Sequence, residues 1–549
     1  MSLRKKELDQ PNILWISLED TSPRFGCYGD QIARTPNIDR LACEGRRYPN
    51  AFSTAGVCAP SRSAIITGMY QTSIGTHHMR TAHTNQHTPE MPTPYSAVPP
   101  PHVKTFTEYL RAARYYCTNN QKTDYQFTSP LTAWDECNNQ AHWRNRSDDS
   151  PFFSVFNPTV THESGMWPNN RPSVDDPTDP DQVTLPPYLP DTPKTRQALA
   201  RHYDNLTLAD QQVGQILGEL EEDGLVENTI VFLWSDHGEG LPRGKRWPYD
   251  AGIRIPLIVR WPGELTAGST SENLISLVDL GPTVLSLAKI DLPSHLHGQP
   301  FLGPEATERK YVFATRDRYD ESYDMVRATR DKRYKYIRNF YPEKPYLLWI
   351  PYRNRHPVMQ EMWRLHAEDK LKGPENVMFQ HPRPVEELYD LENDPYEIEN
   401  LAKNTEHKST LERLRKALDN WRNDFGDMGE IPEEQMVRQW WPDGVQPQTA
   451  TPIFIPISNS SFGMDTASED ETLTFPATVQ LHCATQGASI AYTTEANQQA
   501  QWQLYTEPLR LQEGTTTLRT KAIRIGYKES EERSSTFTVT HPNQTSIIE

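Results

Sequence analysis

The stretch Cys58-Ala59-Pro60-Ser61-Arg62 places a nucleophile, a helix-starting proline and a guanidinium at fixed spacing. Proline suits the first turn of a helix, where its missing N–H costs nothing, so the run to Thr67 predicts a helix over 60–67. Cys58 then stands at the positive end of that helix, where an anion is stabilised. Arg62, one turn further on, points back toward the same end and can pair with an anionic group. A thiolate nucleophile is one reading of Cys58; a small buried hydrophobe, the usual fate of a lone cysteine, is the other. A second chemistry lies in Glu19-Asp20 and Asp236-His237, two acidic pairs that each follow a continuous apolar run. In an open α/β sheet, ligands bind beyond the carboxyl ends of the strands. If the two strands are neighbours, three carboxylates and an imidazole converge, and a divalent cation is the natural compensation for their repulsion. Taken singly, each pair also reads as the cap of a following turn or helix.

The elements that must position these residues follow from the hydrophobic pattern. Residues 12–18 and 229–235 read as strands buried on both faces, as do 152–156 and a shorter run near 256–260. Thr35 and Pro36 open a helix as N-cap and first residue, and an amphipathic helix spans about 196–222. Strands and helices alternating at this spacing predict an α/β fold with a large, mostly parallel sheet sandwiched by helices, over residues 11–310. Residues 311–445 read as a smaller α+β subdomain, with strands at 311–314 and 334–337 and a helix near 408–424. A Pro- and Gln-rich linker at 446–458 leads to a β-sandwich domain, 459–549, with alternating strands at 477–483, 489–494 and 516–522.

A formal charge of -17 disfavours nucleic acid or anionic membrane as a partner. No apolar run reaches the length of a membrane span. Met1-Ser2-Leu3-Arg4-Lys5-Lys6 is charged but lacks the apolar stretch of a signal peptide, so a periplasmic or secreted location requires one that was trimmed away. Among the six cysteines, Cys117 and Cys137 suit a disulfide if the protein is exported.

Cys58-Ala-Pro-Ser-Arg62 followed by Thr67-Gly68 resembles the signature of the sulfatases, within the alkaline phosphatase superfamily, and Asn37-Ile38-Asp39-Arg40, Ser235-Asp236-His237-Gly238 and Glu387-Leu-Tyr-Asp-Leu391 extend the similarity over about 11–425. The resemblance implies an alkaline phosphatase-like fold and a nucleophile made by oxidising Cys58 to formylglycine, which hydrates to a geminal diol. A formylglycine-generating enzyme is then the maturation partner. The metal ligands implied are Glu19, Asp20, Cys58 as formylglycine, Asp236 and His237. Ca2+ is the metal the resemblance implies, and the imidazole leaves room for Mn2+ or Zn2+. Arg62 would hold the diol, Lys122 and Lys245 the sulfate, and His162 would protonate the leaving group. Where the family has Gly-Lys-x-His, this chain has Gln121-Lys122-Thr123-Asp124, so Asp124 replaces a histidine. His77 or His78 is the expected substitute base. Arg246 and Arg254 read as rim or structural charges.

The stretch 185–193 and Asp210-Gln211-Gln212-Val213-Gly214 resemble N-sulfoglucosamine sulfohydrolases, the heparan N-sulfatases, which points to a sulfated saccharide and, more narrowly, to an N-sulfate. Residues 487–494, 504–508 and 521–527 resemble the β-domain of chitobiases. Trp502, Tyr492 and Tyr505 there read as core or domain-packing aromatics rather than a sugar platform. Two rival functions stand beside hydrolysis of sulfate esters or sulfamates: phosphodiester or phosphonate monoester hydrolysis on the same scaffold, and carbohydrate binding without catalysis.

Overall fold

Successive residues of a strand point to opposite faces of its sheet, and the run Asn12–Leu18 shows the consequence. The computed structural model describes residues 10–541 apart from 85, 171–173, 460, 468–470 and 498–499. In it Leu14, Ile16 and Leu18 enter one buried cluster while Ile13 and Trp15 enter another. Strand Thr229–Ser235 divides in the same way, Val231 and Leu233 to the first cluster and Ile230, Phe232 and Trp234 to the second. Helices Pro36–Glu44 and Pro193–Glu222 close the first face, and Cys58–Thr67, Phe106–Ala112 and Leu280–Leu287 the second. With both faces covered, a polar residue has no solvent side to occupy, which is why these strands read as unbroken apolar runs.

The sheet has eight strands, ordered Ser269–Thr270, Arg46–Arg47, Leu257–Arg260, Thr229–Ser235, Asn12–Leu18, Phe152–Phe156, Tyr116–Asn120 and Glu136–Cys137. Only Leu257–Arg260 runs against the rest. Asn12–Leu18 and Thr229–Ser235 are parallel neighbours with Leu18 opposite Ser235. Glu19-Asp20 and Asp236-His237 therefore leave the sheet side by side.

Some local details differ from the sequence expectation. Thr35 flanks its helix without capping it; its hydroxyl accepts from Gly26 N–H at 3.1 Å. Asp210 of the long helix takes over, its carboxylate accepting from Asn37 N–H (3.3 Å) and Ile38 N–H (2.8 Å). The nucleophile helix begins at Cys58, two residues before the expected start. Cys117 and Cys137 are free thiols: their strands pair with Asn119, not Cys117, opposite Cys137.

Strands Val312–Arg316, Val326–Arg330, Tyr334–Asn339 and Glu386–Asp390 form an antiparallel sheet, onto which helix Lys408–Phe425 packs Leu414, Leu418 and Trp421. The last block folds as a three-stranded and a five-stranded sheet around Phe454, Val479, Leu518 and Phe537. Strand Ile453–Ile457 of that block falls within the segment expected as linker; Phe454 is drawn into the core and the strand pairs with Ala477–His482. Tyr492 and Tyr505 pack on the same core, while Trp502 lies beneath Arg519 and Lys521. Met1–Lys6 and residues 542–549 lie outside the described residues. Among the described residues no helix is long and apolar enough to cross a membrane.

Replacing Asp210 by alanine removes the acceptor for two helix-start N–H groups. It should lower unfolding free energy by about 1–3 kcal/mol in a urea titration, whereas Thr35→Val, which removes no cap, should cost less.

Candidate active site

The site is built where the two acidic pairs leave the sheet. Asp20 adopts a left-handed backbone (φ 48°), uncommon for a residue with a side chain. Its N–H donates to Asp236 Oδ1 at 3.3 Å, so the two strand ends are tied directly. Gly238 follows because the chain crosses itself: a Cβ there would lie 2.2 Å from the Ala251 carbonyl oxygen. Ser61 of the nucleophile helix donates its hydroxyl to the Asp236 carbonyl at 2.6 Å. That bond fixes the first turn of the helix against the strand end and brings Cys58 Sγ to 3.4 Å from His237 Nε2 and 3.9 Å from Asp20 Oδ1.

Four buried ligand-type groups thus meet. Cys58, Asp236 and His237 place ligand atoms within 4.8 Å of one another, and so do Asp20, Cys58 and His162. His237 Nδ1 lies 2.9 Å from the Gly238 carbonyl. A carbonyl only accepts, so Nδ1 carries the proton and Nε2 faces Asp20 Oδ1 at 2.9 Å. Burial opposes a charged imidazole, but Asp236 and Asp20 override it and push His237 up to about 10. Buried carboxylates that drive a neighbouring group to hold a proton are a donor set suited to a divalent cation. Glu19, expected as a further ligand, is in neither group; its Oε1 lies 2.5 Å from Lys122 Nζ and 3.9 Å from Arg62 Nη2.

The basic residues arrange themselves around these acids. Lys245 Nζ lies 2.9 and 2.7 Å from the two Asp20 oxygens, and although burial opposes its charge, Asp20 holds it well above the usual lysine range. Arg62 donates through Nε to Asp236 (3.0 Å) and through Nη1 to Asn157 (3.0 Å), while its buried Nη2 makes no hydrogen bond among the described residues and lies 3.9 Å from Glu19 Oε1. Lys122 also pairs with Asp124 at 3.1 Å. His162 Nδ1 accepts from Ser164 N–H at 3.3 Å, leaving Nε2 to carry the proton of the neutral ring. Burial and then the Lys245 charge push His162 below the ordinary histidine range. Burial likewise pushes the Cys58 thiol up, against Lys245 and His237, so an unmodified thiolate is disfavoured.

A cavity of about 510 Å³ opens on this cluster, and Cys58, Lys122, Asp124, His162 and Lys245 all line it. His77 and His78 do not. Both are buried behind the wall, ring against ring at 4.2 Å; His78 Nδ1 accepts from Arg318 N–H, and burial lowers both pKa values. Arg254 donates to the Pro49 carbonyl, away from the cavity. Arg246, read as a rim or structural charge, is buried and clasps Glu163 at 3.0 and 2.8 Å. Glu163 N–H donates to Asp20 Oδ2 at 2.6 Å and its carboxylate lies 3.4 Å from Lys245. Sequence gave no signal for Glu163 beyond its place after His162. Its partners come from segments more than eighty residues away.

A sheet covered by helices on both faces, with a buried acid–imidazole cluster and a cysteine at a helix start beyond its strand ends, is an alkaline phosphatase-like arrangement. The chain belongs to the sulfatase family: the Sulfatase profile matches residues 11–144 and 114–290. The profile of the N-sulphoglucosamine sulphohydrolase C-terminal region matches 238–372, and that of the Chitobiase/beta-hexosaminidase C-terminal domain 468–535. An ulvan-active sulfatase of Formosa agariphila is 43% identical, the match covering 95% of this chain and 90% of that one. Human N-sulphoglucosamine sulphohydrolase is 27% identical over 82% of this chain and 95% of its own. A protein solved with its substrate D-glucosamine-2-N,6-O-disulfate shares the fold (TM-score 0.53, 19% identity, 77% of this chain and 100% of that one). Members of the family generally use a metal and a formylglycine.

If the acid cluster holds a cation, chelator-stripped protein titrated with Ca2+, Mn2+ or Zn2+ should gain about 2.7 kcal/mol at a hundredfold excess over Kd. The rise in melting temperature should shrink sharply in Asp236→Asn. A melting temperature indifferent to all three ions would count against the site.

Proposed function

We propose that this sulfatase hydrolyses sulfate esters on a sulfated polysaccharide, using Cys58 in its formylglycine form and a divalent cation held by Asp20, Asp236 and His237. The observation that carries the reading is the convergence of Cys58, two buried carboxylates and an imidazole at one cavity that Lys122, His162 and Lys245 also line. The 43% identity to an ulvan-active sulfatase makes ulvan the substrate to try first. Calcium suits the carboxylate oxygens best, with manganese or zinc admitted by the imidazole.

When present, the formylglycine supplies a hydrated aldehyde as nucleophile and the cation offsets negative charge beside it. The remaining work falls to this chain's side chains. Arg62, anchored through Asp236 and Asn157, has an Nη2 free of hydrogen bonds among the described residues to offer an anion. Lys122 and Lys245 add positive charge where a sulfate would sit. His162, with its Nδ1 accepting from Ser164, has Nε2–H to hydrogen-bond the leaving oxygen and stabilise charge that builds there. Asp124 lines the cavity beside Lys122; against burial, the charges of Lys122 and Arg62 keep its carboxyl ionised, and we assign to it the proton given up when sulfate is released.

A second reading, sulfamate hydrolysis on an N-sulfoglucosamine unit, is favoured by the match over 238–372. Sulfate release should be measured on ulvan fragments, N-sulfated and O-sulfated glucosamine saccharides, and phosphate diesters. Protein co-produced with a formylglycine-generating enzyme should release sulfate, and Cys58→Ala should lose at least about 10³-fold. Phosphate release exceeding sulfate release would shift the reading to phosphodiester hydrolysis. Saccharide binding with no turnover of any ester would leave only the binding protein.

A further inference from the structure

A second cavity, of about 500 Å³, adjoins the one in front of Cys58, and Arg80 and His83 line both. Arg80 has a left-handed backbone (φ 59°), and so does the residue it pairs with, Asp320 (φ 53°). Each such conformation costs on the order of 1 kcal/mol and persists only where the surroundings impose it. They do: Met79 N–H donates to the Arg318 carbonyl at 2.9 Å, and Arg318 Nη1 returns a bond to the Met79 carbonyl at 2.8 Å.

The guanidinium is held but not saturated. Its Nε donates to Asp320 Oδ1, and the group lies 4.5 Å from the centre of the Tyr352 ring. Neither Nη has an acceptor among the described residues, and the side chain is 35% exposed while that of Asp320 is 2% exposed. If Arg80 served only to neutralise Asp320, it would duplicate Arg246, whose Nε lies 3.5 Å from Asp320 Oδ2. Arg246 in turn clasps Glu163, which reaches Lys245. One chain of ion pairs therefore fixes the position of Arg80 relative to the centre of the site.

We propose that Arg80 binds a second anionic group, carried by the sugar next to the one that loses its sulfate, and that this neighbouring sugar occupies the second cavity. The substrate is then an oligosaccharide with acidic groups on adjacent units rather than an isolated sulfated sugar. A planar fork with unpaired N–H groups suits a carboxylate or a sulfate equally. The inference rests on the sulfatase reading of the Cys58 site.

Three disaccharides with the same scissile sulfate test it with mature enzyme, the neighbouring unit being a uronic acid, a sulfated neutral sugar or an unsubstituted neutral sugar. Wild type should prefer one or both acidic substrates, and which one identifies the anion. Arg80→Met keeps the aliphatic stem and should lower kcat/KM for the preferred substrate about 10- to 100-fold. The loss should appear mainly in KM, with less than about a threefold effect on the unsubstituted disaccharide. Arg80→Lys should recover part of the loss, which a fold defect would not. Equal loss on all three substrates, or a wild type indifferent to the neighbour, would overturn the role of Arg80. Failure of wild type to release sulfate from any of them would overturn the sulfatase reading, and this inference with it.

Discussion

Burying a charge costs several kcal/mol unless an opposite charge or hydrogen bonds replace the lost water, and the centre of this protein buries many. Asp20, Asp236 and Glu163 are almost wholly out of solvent, and so are Arg62, Lys245 and Arg246. Each acid meets a cation contributed by a different stretch of chain. Arg62 comes from the nucleophile helix, and Lys245 and Arg246 from the turn after strand Thr229–Ser235. Removing one partner leaves an uncompensated charge, so the loops around the site are bound into one another by the same groups that would act on substrate. The depressed carboxylate pKa of Asp20 expresses this pairing: burial pushes it up, and Lys245, His162 and His237 bring it well below the usual range.

Short, stiff connections turn that charge balance into geometry. Gly56 passes so close to Trp247 that a Cβ would meet its carbonyl oxygen at 2.5 Å, and the Gly56 carbonyl accepts from Arg246 N–H. The segment before Cys58 and the segment carrying Lys245 are thereby held together. Ser61, within the cysteine motif, acts through its hydroxyl on the Asp236 carbonyl rather than on substrate. The motif therefore encodes docking of its own helix as well as a nucleophile.

The outer wall of the cavity belongs to the later part of the chain. Trp441 and Gln446 line it, and Gln446 Nε2 donates to the Gly526 carbonyl at 2.9 Å, joining the wall to the sandwich. Glu433 binds Tyr95, Arg318 and Tyr323 together at 2.6–2.7 Å. Lys104 donates to the Gly487 carbonyl and the Ser489 hydroxyl, and Arg111 to the Trp502 carbonyl. These bonds dock the sandwich against the region of helix Phe106–Ala112, while Tyr492 and Tyr505 pack on the sandwich core.

The sequence by itself determined the layers and the catalytic motif, because both are written in local pattern. Runs such as 12–18 and 229–235 must be covered on both faces, and Cys58, Pro60 and Arg62 keep their spacing on any helix. The acidic pairs at the two strand ends were legible for the same reason, since strand polarity alone carries them to one edge of the sheet. Tertiary structure decided what depends on distant partners. Glu19 pairs with Lys122, Asp210 caps a helix in place of Thr35, and Arg246 is buried on Glu163. His77 and His78 lie behind the cavity wall while Asp124 lines it. In each case the side chain could satisfy its charge or hydrogen bonds in more than one way. The choice is made by a neighbour brought near in space, which spacing along the chain does not record.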